Sequence, residues 1–165
     1  MLDLIIKNGS CYIDKDLKDQ DIAIKDGKII KIGKIDSEAK ETFDAEGLTV
    51  LPGCIDTQTH FREPGSTDTE DLHSGSRAAI VGGITSVFEM PNTNPPTSTK
   101  IEFQKKLDLA KNRMYCNYAF YFGATADNAS ELADLVNLEG CCGIKLFAGS
   151  STGNLLVAEE EDIEK

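Results

Sequence analysis

The stretch that decides the fold passes from an apolar segment into a polar one: Leu51-Pro52-Gly53-Cys54-Ile55-Asp56-Thr57-Gln58-Thr59-His60-Phe61-Arg62-Glu63-Pro64-Gly65. Its apolar part is typical of a strand that is buried on both faces. Side chains two apart on a strand point to the same face, so Gln58, His60 and Arg62 are predicted to share one side. A buried strand that ends in these residues indicates one wall of a reaction site.

The rest of the chain after Leu48 alternates between strand and helix patterns. Strands are predicted over residues 49–56, 85–90, 115–122 and 143–147, and helices over residues 69–81, 98–112 and 129–138. The repeat is roughly 30 residues, which suits right-handed βα units around a parallel sheet. The sequence therefore predicts an α/β fold.

Two parallel architectures fit this alternation. A dinucleotide-binding sheet would carry G-x-G-x-x-G after its first strand, and the sequence contains no such motif. A (β/α)8 barrel instead places reactive groups at the ends of several strands. His60, Arg62, Asn92 and Lys145 lie at or near such ends, so the pattern favours the barrel.

The first 48 residues have a different pattern, with short β-rich runs and turn dipeptides. Strands are predicted over residues 2–7, 11–13, 21–25, 28–32 and 42–44, with turns at Asn8-Gly9 and Asp26-Gly27. We therefore predict two domains, a small β-sandwich-like module over residues 1–48 and a barrel segment over residues 49–165.

The barrel segment is too short to close. A complete barrel takes about 250 residues, whereas only about four βα units follow residue 48. We expect the chain to be the first half of such a barrel and the N-terminal portion of a larger protein.

The composition limits the partners and the compartment. A net charge of -11 argues against a nucleic-acid groove, which needs clustered Lys and Arg. No apolar run approaches the roughly 20 residues that cross a bilayer. The five cysteines lack metal-type spacing and lie mostly in apolar runs, so we interpret them as reduced core residues of a cytoplasmic protein.

His60 and Lys145 are the candidate metal ligands. Imidazole is the commonest metal ligand, although a hydrogen-bonded structural histidine is the alternative. In Gly143-Ile144-Lys145-Leu146-Phe147, alternation places Lys145 on the barrel-interior side. A buried amine tends to lose its proton and can then form a carbamate with carbon dioxide. The alternative is a lysine that extends to the strand end or pairs with an acidic residue.

Arg62 and Asn92 are the candidate substrate-binding residues. A guanidinium matches a carboxylate through two parallel hydrogen bonds, and an amide adds a directional donor. Asn92 lies in Met90-Pro91-Asn92-Thr93-Asn94-Pro95-Pro96, whose three prolines restrict the loop. The alternatives are a salt bridge of Arg62 with Glu63 or Asp68, and a turn-forming role for Asn92.

These motifs resemble the N-terminal part of a dihydroorotase of the amidohydrolase superfamily. The resemblance covers essentially the whole chain and depends on four segments in the expected order: Leu51-Pro52-Gly53-Cys54-Ile55-Asp56, Thr59-His60-Phe61-Arg62-Glu63-Pro64-Gly65, Met90-Pro91-Asn92-Thr93-Asn94-Pro95 and Gly143-Ile144-Lys145-Leu146-Phe147. The second and third segments favour dihydroorotase over hydantoinase and allantoinase.

The resemblance implies a hydrolase of pyrimidine biosynthesis that interconverts dihydroorotate and N-carbamoyl-L-aspartate. It implies one or two zinc ions held by His60 and a carboxylated Lys145, with Arg62 and Asn92 holding the substrate carboxylate. The remaining ligands and the general base are expected beyond Lys165, so this chain alone is predicted to be inactive. A homo-oligomer, with association to aspartate transcarbamoylase, is also expected.

One residue departs from the family pattern. The motif is usually His-x-His, whereas this chain has Gln58-Thr59-His60. A carboxamide oxygen is a poorer zinc ligand than imidazole. This departure leaves open a non-catalytic subunit that supports aspartate transcarbamoylase, and a related hydantoinase or allantoinase is the other alternative.

Overall fold

A computed structural model describes residues 1–150 and 154–165. The chain divides into two compact units, Met1–Pro52 and Gly53–Lys165. None of the helices in the described part of the chain is long and apolar enough to cross a membrane. All five cysteines are free thiols, as the sequence predicts. The prediction that they are core residues holds for Cys11 and Cys116 but is wrong for Cys54, which is exposed, and for Cys141 and Cys142, which are half-buried.

The first unit is a five-stranded sheet. Its strands are β1 (Leu2–Ile13), β2 (Asp16–Lys25), β3 (Lys28–Gly33), β4 (Ala39–Asp44) and β5 (Thr49–Val50). The order is β3-β2-β1-β4, and β5 also pairs with β1. Strands β1, β2 and β3 are antiparallel neighbours, whereas β4 and β5 run parallel to β1. A small buried cluster of Ile5, Ala23 and Ile35 forms its core.

The two turn dipeptides of this unit behave differently. The predicted hairpin at Asp26-Gly27 is confirmed, with φ values of 51° and 71° that match a type I′ turn. The predicted turn at Asn8-Gly9 is wrong, because these residues lie inside β1, where the pairing with β2 shifts register. Asn8 adopts a φ of 59° there, and its carboxamide donates to Asp44 Oδ1 at 2.9 Å. The dipeptide therefore makes a bulge rather than a reversal.

The second unit is a parallel sheet of four strands in sequential order. The strands are β6 (Cys54–Thr59), β7 (Ile84–Glu89), β8 (Asn117–Gly123) and β9 (Cys141–Lys145). The helices are α1 (Leu72–Val81), α2 (Lys100–Ala110), α3 (Leu132–Leu135) and α4 (Glu160–Ile163), and a short 3-10 turn at Ala129–Glu131 precedes α3. The βα alternation predicted from the sequence is confirmed.

The core of this unit lies between the sheet and the helices. Its fully buried members include Leu72 from α1, Phe103 from α2, Phe120 and Phe122 from β8, and Leu135 from α3. Helix α1 begins at a capping box in which Asp71 accepts from the Ser74 amide at 2.6 Å. The core thus holds α1, α2 and α3 against the sheet.

Two predicted elements differ from the structure. The single strand predicted over residues 49–56 is wrong, because β5 pairs in the first sheet and β6 in the second, with Pro52-Gly53 between them. The long helix predicted over residues 129–138 is also wrong. There Asn137 and Leu138 bond three residues back rather than four, and Gly140 has a φ of 82°, so the segment tightens and ends early.

Candidate active site

The four candidate site residues lie at one edge of the parallel sheet. His60 and Arg62 follow β6, Asn92 follows β7, and Lys145 is the last residue of β9. Because the carboxyl ends of parallel strands meet at one edge, the fold brings side chains from distant parts of the sequence together. His60 is the shared neighbour. Its ring is hydrogen-bonded to Asn92, and the positive charges of Arg62 and Lys145 lower its pKa.

The environment of His60 favours the neutral imidazole. Burial lowers the pKa of the ring first, and the charges of Arg62, Lys145 and Lys106 lower it further, while the hydrogen bond to Asn92 opposes them. A neutral imidazole offers a lone pair, which a metal ligand or a hydrogen-bond acceptor requires.

The residues on either side of Arg62 are held by packing and charge. Phe61 belongs to the buried core, and Glu63 accepts from Arg113 Nη1 at 2.8 Å and from the Leu72 amide at 2.9 Å. The alternative salt bridge between Arg62 and Glu63 is therefore wrong, because Arg113 pairs with that carboxylate. Within residues 1–150 and 154–165, the Arg62 guanidinium forms no ion pair.

The loop that carries Asn92 is held in place by backbone hydrogen bonds. Pro91 O accepts from both Thr93 N and Thr97 N at 2.9 Å, and Asn94 N donates to Pro64 O at 3.0 Å. Asn92 itself is buried, with 8% of its surface exposed. The loop therefore holds the Asn92 carboxamide in place rather than leaving it exposed in a surface turn.

Lys145 ends β9 and is half-buried. The preceding residue, Ile144, packs against the core on the helix side of the sheet. By alternation along the strand, Lys145 lies on the opposite face, where its Nζ is 5.1 Å from the centre of the Phe147 ring. That face also carries the His60 ring, whose pKa Lys145 lowers.

Sequence reasoning missed a buried ion pair beneath this edge. Glu89 ends β7 and pairs with Lys106 of α2, and their side chains are 1% and 0% exposed. Burial raises the pKa of Glu89 and lowers that of Lys106, and the attraction between them opposes both shifts. The available signal was the spacing of Lys106 from Phe103 and Ala110, three and four residues away on the buried face of the helix.

The residues present fit part of a metal site. His60 supplies a neutral nitrogen, and Gln58 lies exposed near the end of β6, where it offers only a weak oxygen ligand. Among the described residues, no group of three or more His, Cys, Asp or Glu side chains converges on one point. A cation at His60 would also meet the positive charges of Arg62 and Lys145, so the fit requires Lys145 to become an anion.

Comparisons with known proteins agree with this architecture. The sequence profile described as "Amidohydrolase family" matches residues 49–156. The chain is 40% identical to a dihydroorotase of Methanosarcina acetivorans over 162 residues, which are 97% of this chain and 34% of that protein. It is also 40% identical to an allantoinase of Escherichia coli O1:K1 over 149 residues, which are 90% of this chain and 33% of that protein.

The fold matches solved structures as well. An L-hydantoinase of Arthrobacter aurescens superposes with a TM-score of 0.88 at 32% identity, over 99% of this chain and 37% of that one. The chain spans about a third of the length of the curated relatives it matches. The profile match and the parallel βα sheet together show that the chain belongs to the amidohydrolase family.

Proposed function

We propose that the full-length protein is a zinc-dependent dihydroorotase, which reversibly hydrolyses the cyclic amide of (S)-dihydroorotate to N-carbamoyl-L-aspartate in pyrimidine biosynthesis. The observation that carries this proposal is the state of Arg62. Its guanidinium is half-buried at the edge of the sheet that carries the four candidate site residues. It forms no ion pair among the described residues, because Glu63 is paired with Arg113. A guanidinium in this setting favours an anionic substrate.

The carboxylate of dihydroorotate fits this pair of side chains. Arg62 would bind it through two parallel hydrogen bonds, and Asn92, held by its loop, would orient it. Allantoin carries no carboxylate, so a free guanidinium would have less to recognise there. Arg62 therefore favours dihydroorotase among the activities of the matched relatives.

We propose that Lys145 is carboxylated in the complete enzyme and that it and His60 are metal ligands. The change replaces a cation beside His60 by an anion, which removes the repulsion that a metal ion would otherwise meet. A bound zinc ion would supply Lewis acidity and an activated water. The general base and further ligands are expected beyond Lys165, so the 165-residue chain alone is predicted to be inactive.

The decisive experiment uses the full-length protein. Zinc content is measured together with turnover of dihydroorotate, allantoin and hydantoin at equal concentration. We expect bound zinc and a preference for dihydroorotate. A preference for allantoin or hydantoin would assign the protein to that activity instead, which the equally high identity to an allantoinase keeps open.

A non-catalytic subunit is the second candidate, and Gln58 is the observation that favours it. A carboxamide at this position weakens one side of a two-metal site. Such a subunit would bind little zinc, turn over none of the three substrates and co-purify with aspartate transcarbamoylase. The same measurements therefore separate a scaffold from an enzyme.

A further inference from the structure

We propose that Lys106 is a positioning residue: its buried ammonium fixes the loop between Met90 and Thr97, and so holds the Asn92 carboxamide beside His60. The functional consequence of this inference rests on the proposed function, because Asn92 is placed there as a substrate-binding residue. The structural part stands on its own geometry.

The Lys106 ammonium is bound at both ends of the loop. Its Nζ donates to Met90 O at 3.0 Å, at the start of the loop, and to Thr97 Oγ1 at 3.3 Å, at its end. Its third partner is Glu89 Oε2, directly before Met90. An ammonium has three donors, and two of them act on the loop.

A chain of hydroxyl groups carries this contact into the loop. The Thr93 hydroxyl lies 2.9 Å from Pro95 O, to which it donates, and 3.4 Å from Thr97 Oγ1. Thr93 uses its proton on Pro95, and Thr97 accepts from Lys106, so the Thr97 hydroxyl donates to Thr93. The hydrogen bonds therefore run from Lys106 through Thr97 and Thr93 to Pro95. Because Lys106 also binds Met90 O, Asn92 lies between two anchored points of the loop.

A contribution to stability alone does not explain why Glu89 and Lys106 form a buried ion pair. Replacing a buried ion pair by apolar side chains of similar size is often neutral or stabilising, since both charges lose their hydration. What apolar side chains cannot do is hold a backbone carbonyl and a hydroxyl at fixed points. The loop contacts of Lys106 therefore distinguish positioning from simple stabilisation.

The test uses three variants of the full-length protein and one control variant. Lys106→Met removes the ammonium but leaves Glu89 buried and unpaired, so the double variant Glu89→Gln/Lys106→Met removes both charges. Thr97→Val keeps the ion pair and removes only the hydroxyl. Lys105→Met is the matched control, because Lys105 is the preceding residue of α2, its side chain is 63% exposed, and its partner is Glu102.

We measure the melting temperature, the hydrogen exchange of the amides of Thr93, Asn94 and Thr97, and the KM for dihydroorotate. We expect the double variant to recover the melting temperature lost in Lys106→Met. Its loop amides should nevertheless exchange at least about tenfold faster, the size expected for losing one charge-assisted hydrogen bond. We expect a raised KM at unchanged zinc content, and no change in Lys105→Met.

Unchanged exchange in a folded double variant would overturn the proposal. If that variant does not fold, Thr97→Val decides, since normal exchange of its loop amides overturns the proposal equally. The exchange measurement needs no substrate. A protein that turns over no dihydroorotate would therefore refute the proposed function while the role of Lys106 in the loop is still tested.

Discussion

Replacing Gly75 by alanine should destabilise α1, although alanine is the better helix former. Gly75 is buried in the helix, and a Cβ added there would lie 2.5 Å from Phe61 Cδ1 and 2.6 Å from Phe61 Cε1. Real Cβ contacts are longer, so the ring would have to move. Phe61 stands between His60 and Arg62, so the displacement reaches the candidate active site.

The two opposing contributions can be compared. Alanine gains about 0.5–1 kcal/mol over glycine inside a helix. Adding a methyl group to a filled core costs typically about 1–3 kcal/mol. Because the ring is only 5% exposed and lies among other core side chains, we expect the steric term to exceed the gain, with a net loss of about 1 kcal/mol.

Two controls isolate the contact with the ring. Gly82→Ala adds the same group at the end of the same helix, where the nearest atoms are carbonyl oxygens at 3.5 Å, so we expect a change within about 0.5 kcal/mol. In a Phe61→Leu background the ring is absent. The next contact of the added Cβ, Glu70 Cδ at 3.0 Å, is the end of a flexible side chain that can move aside. In this background Gly75→Ala should therefore stabilise α1.

The assay is native-state hydrogen exchange of the α1 amides in the full-length protein, which reports the free energy of local opening. Gly75→Ala should speed exchange in the wild-type background and slow it in the Phe61→Leu background. Slower exchange of Gly75→Ala in both backgrounds would refute the reasoning, since it would show that the ring yields without cost.

Three further predictions concern residues of the candidate active site and their neighbours. Arg62→Lys should raise the KM for dihydroorotate, because a point charge cannot reproduce the two parallel hydrogen bonds, and an unchanged KM would count against that role. Glu63→Gln should lower the free energy of unfolding by about 1–3 kcal/mol, measured by denaturant titration, because the bond to Arg113 loses its charge. In metal-free protein, NMR titration of His60 should give a midpoint below the ordinary value of 6.5. The unfolded chain binds a proton at His60 at a higher pH than the folded protein does. The free energy of unfolding should therefore fall as the pH drops from 6.5 toward that midpoint.

The sequence predicts most of the second unit because each element has a local signal. Strands β7, β8 and β9 lie within two residues of their predicted starts and ends. The region around residue 52 carried no such signal. A continuous apolar run does not show that its two halves pair in different sheets, and only the tertiary pairing of β5 and β6 decides it.

The candidate site was predictable for a different reason. His60, Arg62, Asn92 and Lys145 are polar residues at or near the ends of parallel strands, and a parallel sheet must bring those ends together. Glu89 and Lys106 were not predictable as a pair. They come from a strand and a helix, and the sequence does not show how these two elements are oriented relative to each other. A charged residue in an apolar pattern indicates only that some partner must exist.

The charges around His60 would let an acidic chain bind the anionic substrate that we propose. The sequence carries a net charge of -11, yet the groups that shift the pKa of His60 by their charge are Arg62, Lys145 and Lys106, which are all cations. Glu89 pairs with Lys106 and offsets one of them. Two positive charges are then left at this edge, where burial weakens their screening by water. An anion at this edge, whether the substrate carboxylate that we propose at Arg62 or the carbamate that we propose on Lys145, would meet a local field opposite to that of the whole chain.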